Sequence, residues 1–230
     1  MKEKYLIQKK WGETPLEALE RLRVDEKIGA DVPMTYAGRL DPAAEGLLII
    51  LTGEECKKKD EYSALSKTYV AEIILGVSTD SYDLLGIPKV ELRIKNLESS
   101  MEEIKKYLDI NIGKQMQEYP HYSSKNIDTG VLPLPHEVEL FEYKNLEIGE
   151  RTQDEVSERV KNLTELVTGD FRQAKISEAW KTISIPEKLQ TIKVELKVSS
   201  GFYIRQLAED LGKALCCGAC LYSLVRTEIE

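Results

Sequence analysis

The sequence predicts a mixed α+β domain built on a central sheet, and three features lead to that reading. Segments that alternate apolar and polar residues are interspersed with segments of helical periodicity, without a strict strand–helix–strand rhythm. The 230 residues, 42% of them hydrophobic, suffice for one good-sized core or two small ones. No repeat, low-complexity tract or apolar run of membrane-spanning length interrupts the pattern.

Taken in order, residues 4–9 read as a short strand. Thr14 before Pro15 suits a helix N-cap with proline in the first turn, and Leu16, Leu19, Leu22 and Val24 follow at near-helical spacing. Gly29, Pro33, Gly38, Pro42 and Gly46 make 29–46 a loop, which runs into the apolar run GLLIILTG, a buried strand. A charged helix is expected at about 54–65, and KTYVAEIILG (67–76) alternates as a strand. An Asp-rich turn at 78–86 comes next, then a serine-capped helix over 99–109 and an ordered loop over 111–136, rich in proline, glycine and tyrosine. Residues 136–148 alternate as a strand, 152–181 read as one or two helices, and 191–200 alternate again. GFYIRQLAEDLGKALC enters a helix and ACLYSLVRTEIE reads as a closing strand.

The charged N-terminus lacks a signal-peptide core, so a cytoplasmic protein without a membrane segment is expected. Cys216, Cys217 and Cys220 lie in an apolar run with Cys56 far away, which favours buried thiols over a zinc site; no metal is expected. The net charge of −8 argues against nonspecific nucleic-acid binding but permits a local basic groove. Lys57, Lys58, Lys59, Lys67, Lys114 and Lys125 are the candidates for such a groove, the 57–59 run being equally readable as a solvated helix face.

Two segments carry candidate chemistry. Tyr36-Ala37-Gly38-Arg39-Leu40-Asp41-Pro42 places a carboxylate in a glycine-containing loop immediately before a buried strand, a favoured place for a catalytic group. Read alone, Asp41 is better explained as a turn residue. Gly201-Phe202-Tyr203-Ile204-Arg205 places an arginine at a helix start, where the dipole does not favour a cation. Arg205 is therefore a candidate for an ion pair with a distant carboxylate, or else a surface arginine.

Together these stretches resemble the TruB family of pseudouridine synthases. Gly38-Arg39-Leu40-Asp41-Pro42, continuing through Ala44 and Gly46-Leu47-Leu48 to Gly53-Glu54, is similar to that family's catalytic motif. Lys67-Thr68-Tyr69, the turn from Thr79 to Gly86, Pro120-His121-Tyr122-Ser123-Ser124-Lys125, and Ser199 to Arg205 with Asp210-Leu211-Gly212 follow in the family's order. Leu224-Val225-Arg226 falls where the family has a Leu-x-Arg strand.

The resemblance implies a pseudouridine synthase fold with a mixed, mostly antiparallel sheet flanked by helices, and isomerisation of uridine in RNA, most readily the T-loop uridine of tRNA. It implies Asp41 as the catalytic aspartate, Arg205 as its partner and Tyr69 as the aromatic stacking on the base. Tyr36, Arg39, Lys67, Asp83 and Leu224 are the expected substrate-binding residues. No cofactor is implied, because the reaction has no redox change; the carboxylate either attacks the sugar or removes the C2′ proton. Two departures stand out: Tyr36 replaces a histidine that wedges into RNA, and Glu45 stands where threonine is usual. A single catalytic domain over 1–230, acting as a monomer and without a C-terminal PUA domain, is expected. Residues 149–188, including Gly169-Asp170-Phe171-Arg172-Gln173, are read as an insertion replacing part of that domain's grip. Alternative readings are a synthase for another RNA, a noncatalytic RNA-binding or chaperone protein on the same fold, and an unrelated α+β domain.

Overall fold

The computed structural model describes residues 2–90, 97–122 and 134–230, with only the backbone described at 97–100. Ten strands and six α-helices occur among them: β1 (Lys4–Lys9), α1 (Pro15–Asp25), β2 (Met34–Ala37), β3 (Ala44–Thr52), α2 (Lys59–Ala64), β4 (Lys67–Leu75), β5 (Val77–Thr79), β6 (Pro88–Val90), α3 (Leu97–Ile110), β7 (Gly113–Gln117), β8 (His136–Thr152), α4 (Gln153–Leu166), α5 (Gln173–Thr182), β9 (Lys188–Val198), α6 (Ile204–Ala214) and β10 (Ala219–Ile229).

Eight strands form one sheet in the order β1-β3-β10-β4-β9-β8-β7, with β2 also pairing on β3; β5 and β6 form a separate ribbon. Every pairing in the large sheet is antiparallel except β3 with β10, where Leu224, Val225 and Arg226 lie beside Ala44, Glu45 and Gly46. The mixed, mostly antiparallel sheet flanked by helices is as the sequence predicted. No described helix is long and apolar enough to cross a membrane.

The two-residue alternation of β4 sorts its side chains onto opposite faces. Tyr69, Ala71, Ile73 and Leu75 join the core beneath α3 and α6, with Leu207, Ala208 and Leu211 from α6. Ile74 faces the other way, into a second core with Val156, Val160 and Leu163 of α4 and Ile176 and Trp180 of α5. Cys220 and Tyr222 of β10 share this second face, whereas Ala219 and Leu221 share the first. Both faces of the central strands are thus covered, which is why apolar side chains stand next to one another at Ile73-Ile74-Leu75 of β4 and Ala219 to Tyr222 of β10.

The α4–α5 segment, read from sequence as an insertion, packs as part of this second core. Arg159 of α4 is sandwiched between the rings of Trp11 (4.6 Å) and Tyr222 (4.7 Å), and Arg151 pairs with Glu72 at 2.8 Å. Cation–ring contacts of this kind hold the hairpin at positions where its charges would otherwise face water.

Several boundaries differ from the sequence reading. The loop at 29–46 contains β2, and the loop at 111–136 contains β7; residues 123–133 of the latter, with Lys125, lie outside the described residues. The charged helix at 54–65 is a 3-10 segment over Gly53–Lys58 followed by the short α2. Leu16 and Val24 of α1 are exposed, and its buried side is Pro15, Ala18, Leu19 and Leu22. Cys217 and Cys220 are buried, Cys56 partly so, and Cys216 is exposed; burial pushes the Cys220 thiol pKa up.

Candidate active site

The loop between β2 and β3 carries Asp41, whose carbonyl accepts the amide of Ala44 and so turns the chain into β3. Across the sheet, the first turn of α6 carries Arg205, and Arg205 Nε donates to Asp41 Oδ2 at 2.9 Å. The Arg205 side chain is only 6% exposed while that of Asp41 is 36% exposed, so the carboxylate faces open space and the guanidinium lies behind it. Asp83 approaches Arg205 Nε at 3.7 Å from the interior. Arg205 Nη1 donates to the Ser81 carbonyl at 2.8 Å, and both Nη atoms reach the Tyr122 carbonyl at 3.4 Å.

A cation at a helix N-terminus opposes the helix dipole, and here it is also desolvated. Burial works against the Arg205 charge, but Asp41 and Asp83 outweigh it and hold its pKa above the usual value. Burial pushes the Asp83 carboxyl upward, opposed by Arg205 and by the Ser81 hydroxyl and Leu85 amide that bond to it. The α6 entry is fastened from β7, where Gln117 accepts the Tyr203 amide and donates to the Tyr203 carbonyl.

Asp41 opens into a cavity of about 410 Å³. Of the expected site residues, Asp41, Arg205, Tyr69, Tyr36, Arg39, Lys67 and Leu224 all line it. Asp83 does not. Expected at the substrate, it is buried against Arg205 instead, because the 79–87 turn folds its side chain inward onto Ser81 and Leu85. Lys57, Lys58 and Lys114 also lie away from the cavity lining, paired with Glu54, Glu55 and Glu137. Of the proposed groove lysines, Lys59 and Lys67 line the cavity.

Lys59 sits over the Tyr36 ring at 5.6 Å. Lys67 donates to the carbonyls of Ser63 and Leu65, and burial with the nearby Arg226 lowers its pKa to about 8. The lining thus holds five cationic residues (Arg39, Lys59, Lys67, Arg205 and Arg226) against one carboxylate, Asp41. A chain of net charge −8 thus carries a local excess of positive charge in the lining of this cavity.

Arg226 is the residue that sequence reasoning quoted without a role. It is 1% exposed, and it donates to the carbonyls of Leu47, Gly38 and Arg39, with Nη1 3.5 Å from the Tyr69 hydroxyl. It thereby ties the Asp41 loop to β10 and to the ring of Tyr69. Its spacing two residues after Leu224 was the available signal, since both side chains then share a strand face. His136 was missed; it lines the cavity, bonds the Gly201 carbonyl and stacks on Tyr119 at 4.2 Å.

Residues 27–132 match the family described as TruB family pseudouridylate synthase, N-terminal domain. A protein of Bacteroides fragilis named tRNA pseudouridine synthase B is 31% identical, over 84% of this chain and 70% of its own length. The chain belongs to the TruB family. TruB-family proteins of the same name from Endomicrobium trichonymphae and Protochlamydia amoebophila are 29% and 31% identical, over 84% and 72% of their lengths. Among solved structures, one of a Cbf5-Nop10-Gar1 complex superposes with a TM-score of 0.60 at 16% identity, covering 99% of this chain. An H/ACA RNP bound to a substrate RNA containing 2′-deoxyuridine superposes at 0.57 and 15% identity. These structures share the fold; this TruB-family chain spans about half of each of those chains (48% and 47%).

Proposed function

We propose that the chain isomerises uridine to pseudouridine in tRNA, at the T-loop uridine, with Asp41 as the catalytic carboxylate. The observation that carries this reading is the half-exposed Asp41 carboxylate, held at 2.9 Å by a buried arginine, at the base of a cationic cavity with Tyr69 in its wall. A volume of about 410 Å³ falls within the range of small-ligand sites, roughly 300–1,000 Å³. A base must leave its stack to enter such a site.

In the reaction the N1–C1′ bond breaks, the uracil turns and C5 joins C1′; C5 then gives up its proton and N1 takes one up, so the atoms balance. Asp41 acts by attack on the sugar or by removal of the C2′ proton; either route needs an ionised, oriented carboxylate. Arg205 Nε, donating to Asp41 Oδ2 at 2.9 Å, fixes the orientation of that carboxylate. Tyr69 and Leu224 supply an aromatic face and an apolar wall for the detached base. Arg39 and Lys59 provide exposed charge for phosphates, and Tyr36 beside Lys59 takes the wedge position. The RNA enters as the T arm, the protein works as a cytoplasmic monomer, and α4–α5 is an addition to a single catalytic domain. Substrate and product are isomers, so the reaction itself calls for no redox cofactor.

The test is pseudouridine formation in unmodified tRNA transcripts by the wild-type protein and by Asp41→Asn, with each modified position mapped. Wild type is expected to modify the T-loop uridine and the variant to lose at least about 10³-fold in rate. RNA binding by a wild type that forms no pseudouridine in tRNA or ribosomal RNA would favour the noncatalytic chaperone reading.

A further inference from the structure

Arg172 stands at the N-cap of α5, and its side chain turns back toward the segments around Asp80 and Tyr122. Its backbone is left-handed (φ 61°, ψ 26°), a conformation that a non-glycine residue adopts only where its surroundings enforce it. Its guanidinium grips Asp80 with two bonds, Nη1 to Oδ2 at 2.7 Å and Nη2 to Oδ1 at 3.2 Å. The same guanidinium donates to the Tyr122 hydroxyl at 2.9 Å and lies 4.0 Å from the centre of that ring. A flat, two-pronged cation suits this double contact, and lysine does not reproduce it.

The two segments held by Arg172 are the two that supply backbone to Arg205. Ser81, next to Asp80, gives its carbonyl to Arg205 Nη1 at 2.8 Å, and Tyr122 gives its carbonyl to both Nη atoms. Asp83, three residues from Asp80, backs Arg205 from inside. Arg172 is not among the residues that line the cavity.

We propose that Arg172 is a positioning residue for the Asp41–Arg205 pair: it clamps the 79–87 turn to the Tyr122 segment, so that their carbonyls hold the Arg205 guanidinium against Asp41. For its effect on rate, this inference rests on the proposed isomerisation by Asp41. The clamp draws a segment of the α4–α5 addition into the support of the reacting centre.

The experiment follows the Arg205 side chain and the reaction separately. In protein labelled with nitrogen-15 arginine, solvent exchange of the Arg205 Nε proton is measured by NMR for wild type, Arg172→Ala, Arg172→Lys and the charge control Lys175→Ala. Exchange is expected to rise about tenfold or more in Arg172→Ala. It rises less in Arg172→Lys and stays at the wild-type value in Lys175→Ala. In parallel, the single-turnover rate at saturating tRNA is expected to fall about tenfold or more in Arg172→Ala, with partial rescue by lysine and RNA affinity within about threefold of wild type. A fall in affinity with an unchanged rate would make Arg172 an RNA contact and overturn the proposal. Wild-type exchange in both Arg172 variants would overturn it too, whatever the activity. If wild type forms no pseudouridine yet exchange at Arg205 rises in the variants, the isomerisation reading fails while the clamp stands. Should Arg172→Ala not fold, Arg172→Lys carries the same comparison.

Discussion

Single residues show most directly how this fold trades stability for charge. Lys9 and Lys67 are both buried, and burial lowers each pKa from 10.5 to about 8. The folded-state values lie below those of the unfolded chain, so between about pH 8 and 10.5 the unfolded state holds more protons. Stability therefore rises with pH in that window, by at most about 1.4 kcal/mol per pH unit for each lysine, and the desolvation penalty is in full force below pH 8. Urea unfolding of Lys67→Met at pH 8 and pH 10 is expected to show a smaller gain between the two pH values than wild type. An equal gain would mean that Lys67 stays protonated in the folded state. Asp41, Arg205 and Tyr69 were legible from sequence because short motifs in a fixed order carry them. Depth was not legible: spacing places Asp83 near the others, but only the inward turn onto Ser81 and Leu85 shows that it backs Arg205 and not the substrate. Arg172 was quoted within a segment expected to grip RNA, and nothing in the sequence ties it to Asp80, 92 positions earlier.

Elements were read correctly where a periodic run was long. The capping box of Thr14 and Glu17 starts α1 where expected, and the alternation of 67–76 and 191–200 marks two adjacent strands of the sheet. β2 and β7 escaped because four- and five-residue strands with mostly polar or partly exposed side chains leave too few apolar positions to set a period. The parallel contact of β3 with β10 rests on Gly46, whose φ is +110°. A Cβ there would stand 2.3 Å from the Arg226 carbonyl oxygen and 2.7 Å from its nitrogen, both of them backbone. Gly46→Ala is expected to destabilise the fold by about 3 kcal/mol or more, combining a forbidden backbone conformation with a clash that no rotamer relieves. Chemical denaturation measures this directly, and a loss under about 1 kcal/mol would mean that the two strands can move apart.

At the scale of the whole molecule, an acidic chain whose cationic cavity has most of its charges engaged internally should bind RNA with few ionic contacts. Arg205 and Arg226 are engaged internally, and Lys67 donates to two backbone carbonyls, which leaves Arg39 and Lys59 exposed at the cavity. The logarithm of RNA affinity should then fall with the logarithm of salt with a slope of roughly −1.4 to −1.8, and Arg39→Ala should reduce its magnitude by about one. Filter binding from 50 to about 300 mM salt checks both; a slope steeper than about −5 would locate a larger phosphate-binding surface elsewhere. The fold class was legible at this scale from interspersed periodicities. The role of α4–α5 as one wall of a second core was not, because sequence separates those helices from the Ile74 face they cover.

The place of β10 has a consequence for how the protein is made. The strand at 219–229, after every other strand in chain order, lies between β3 and β4 in the middle of the sheet. On a ribosome, β1 and β3 can pair early, but the partner that joins them to β4 has yet to be synthesised. Until about residue 229 has emerged, the nascent chain carries two incomplete half-sheets with apolar inner edges exposed. Such contacts between distant segments close slowly. Synthesis of this chain thus has a window in which chaperones, or pairing with other nascent chains, compete with its own final strand.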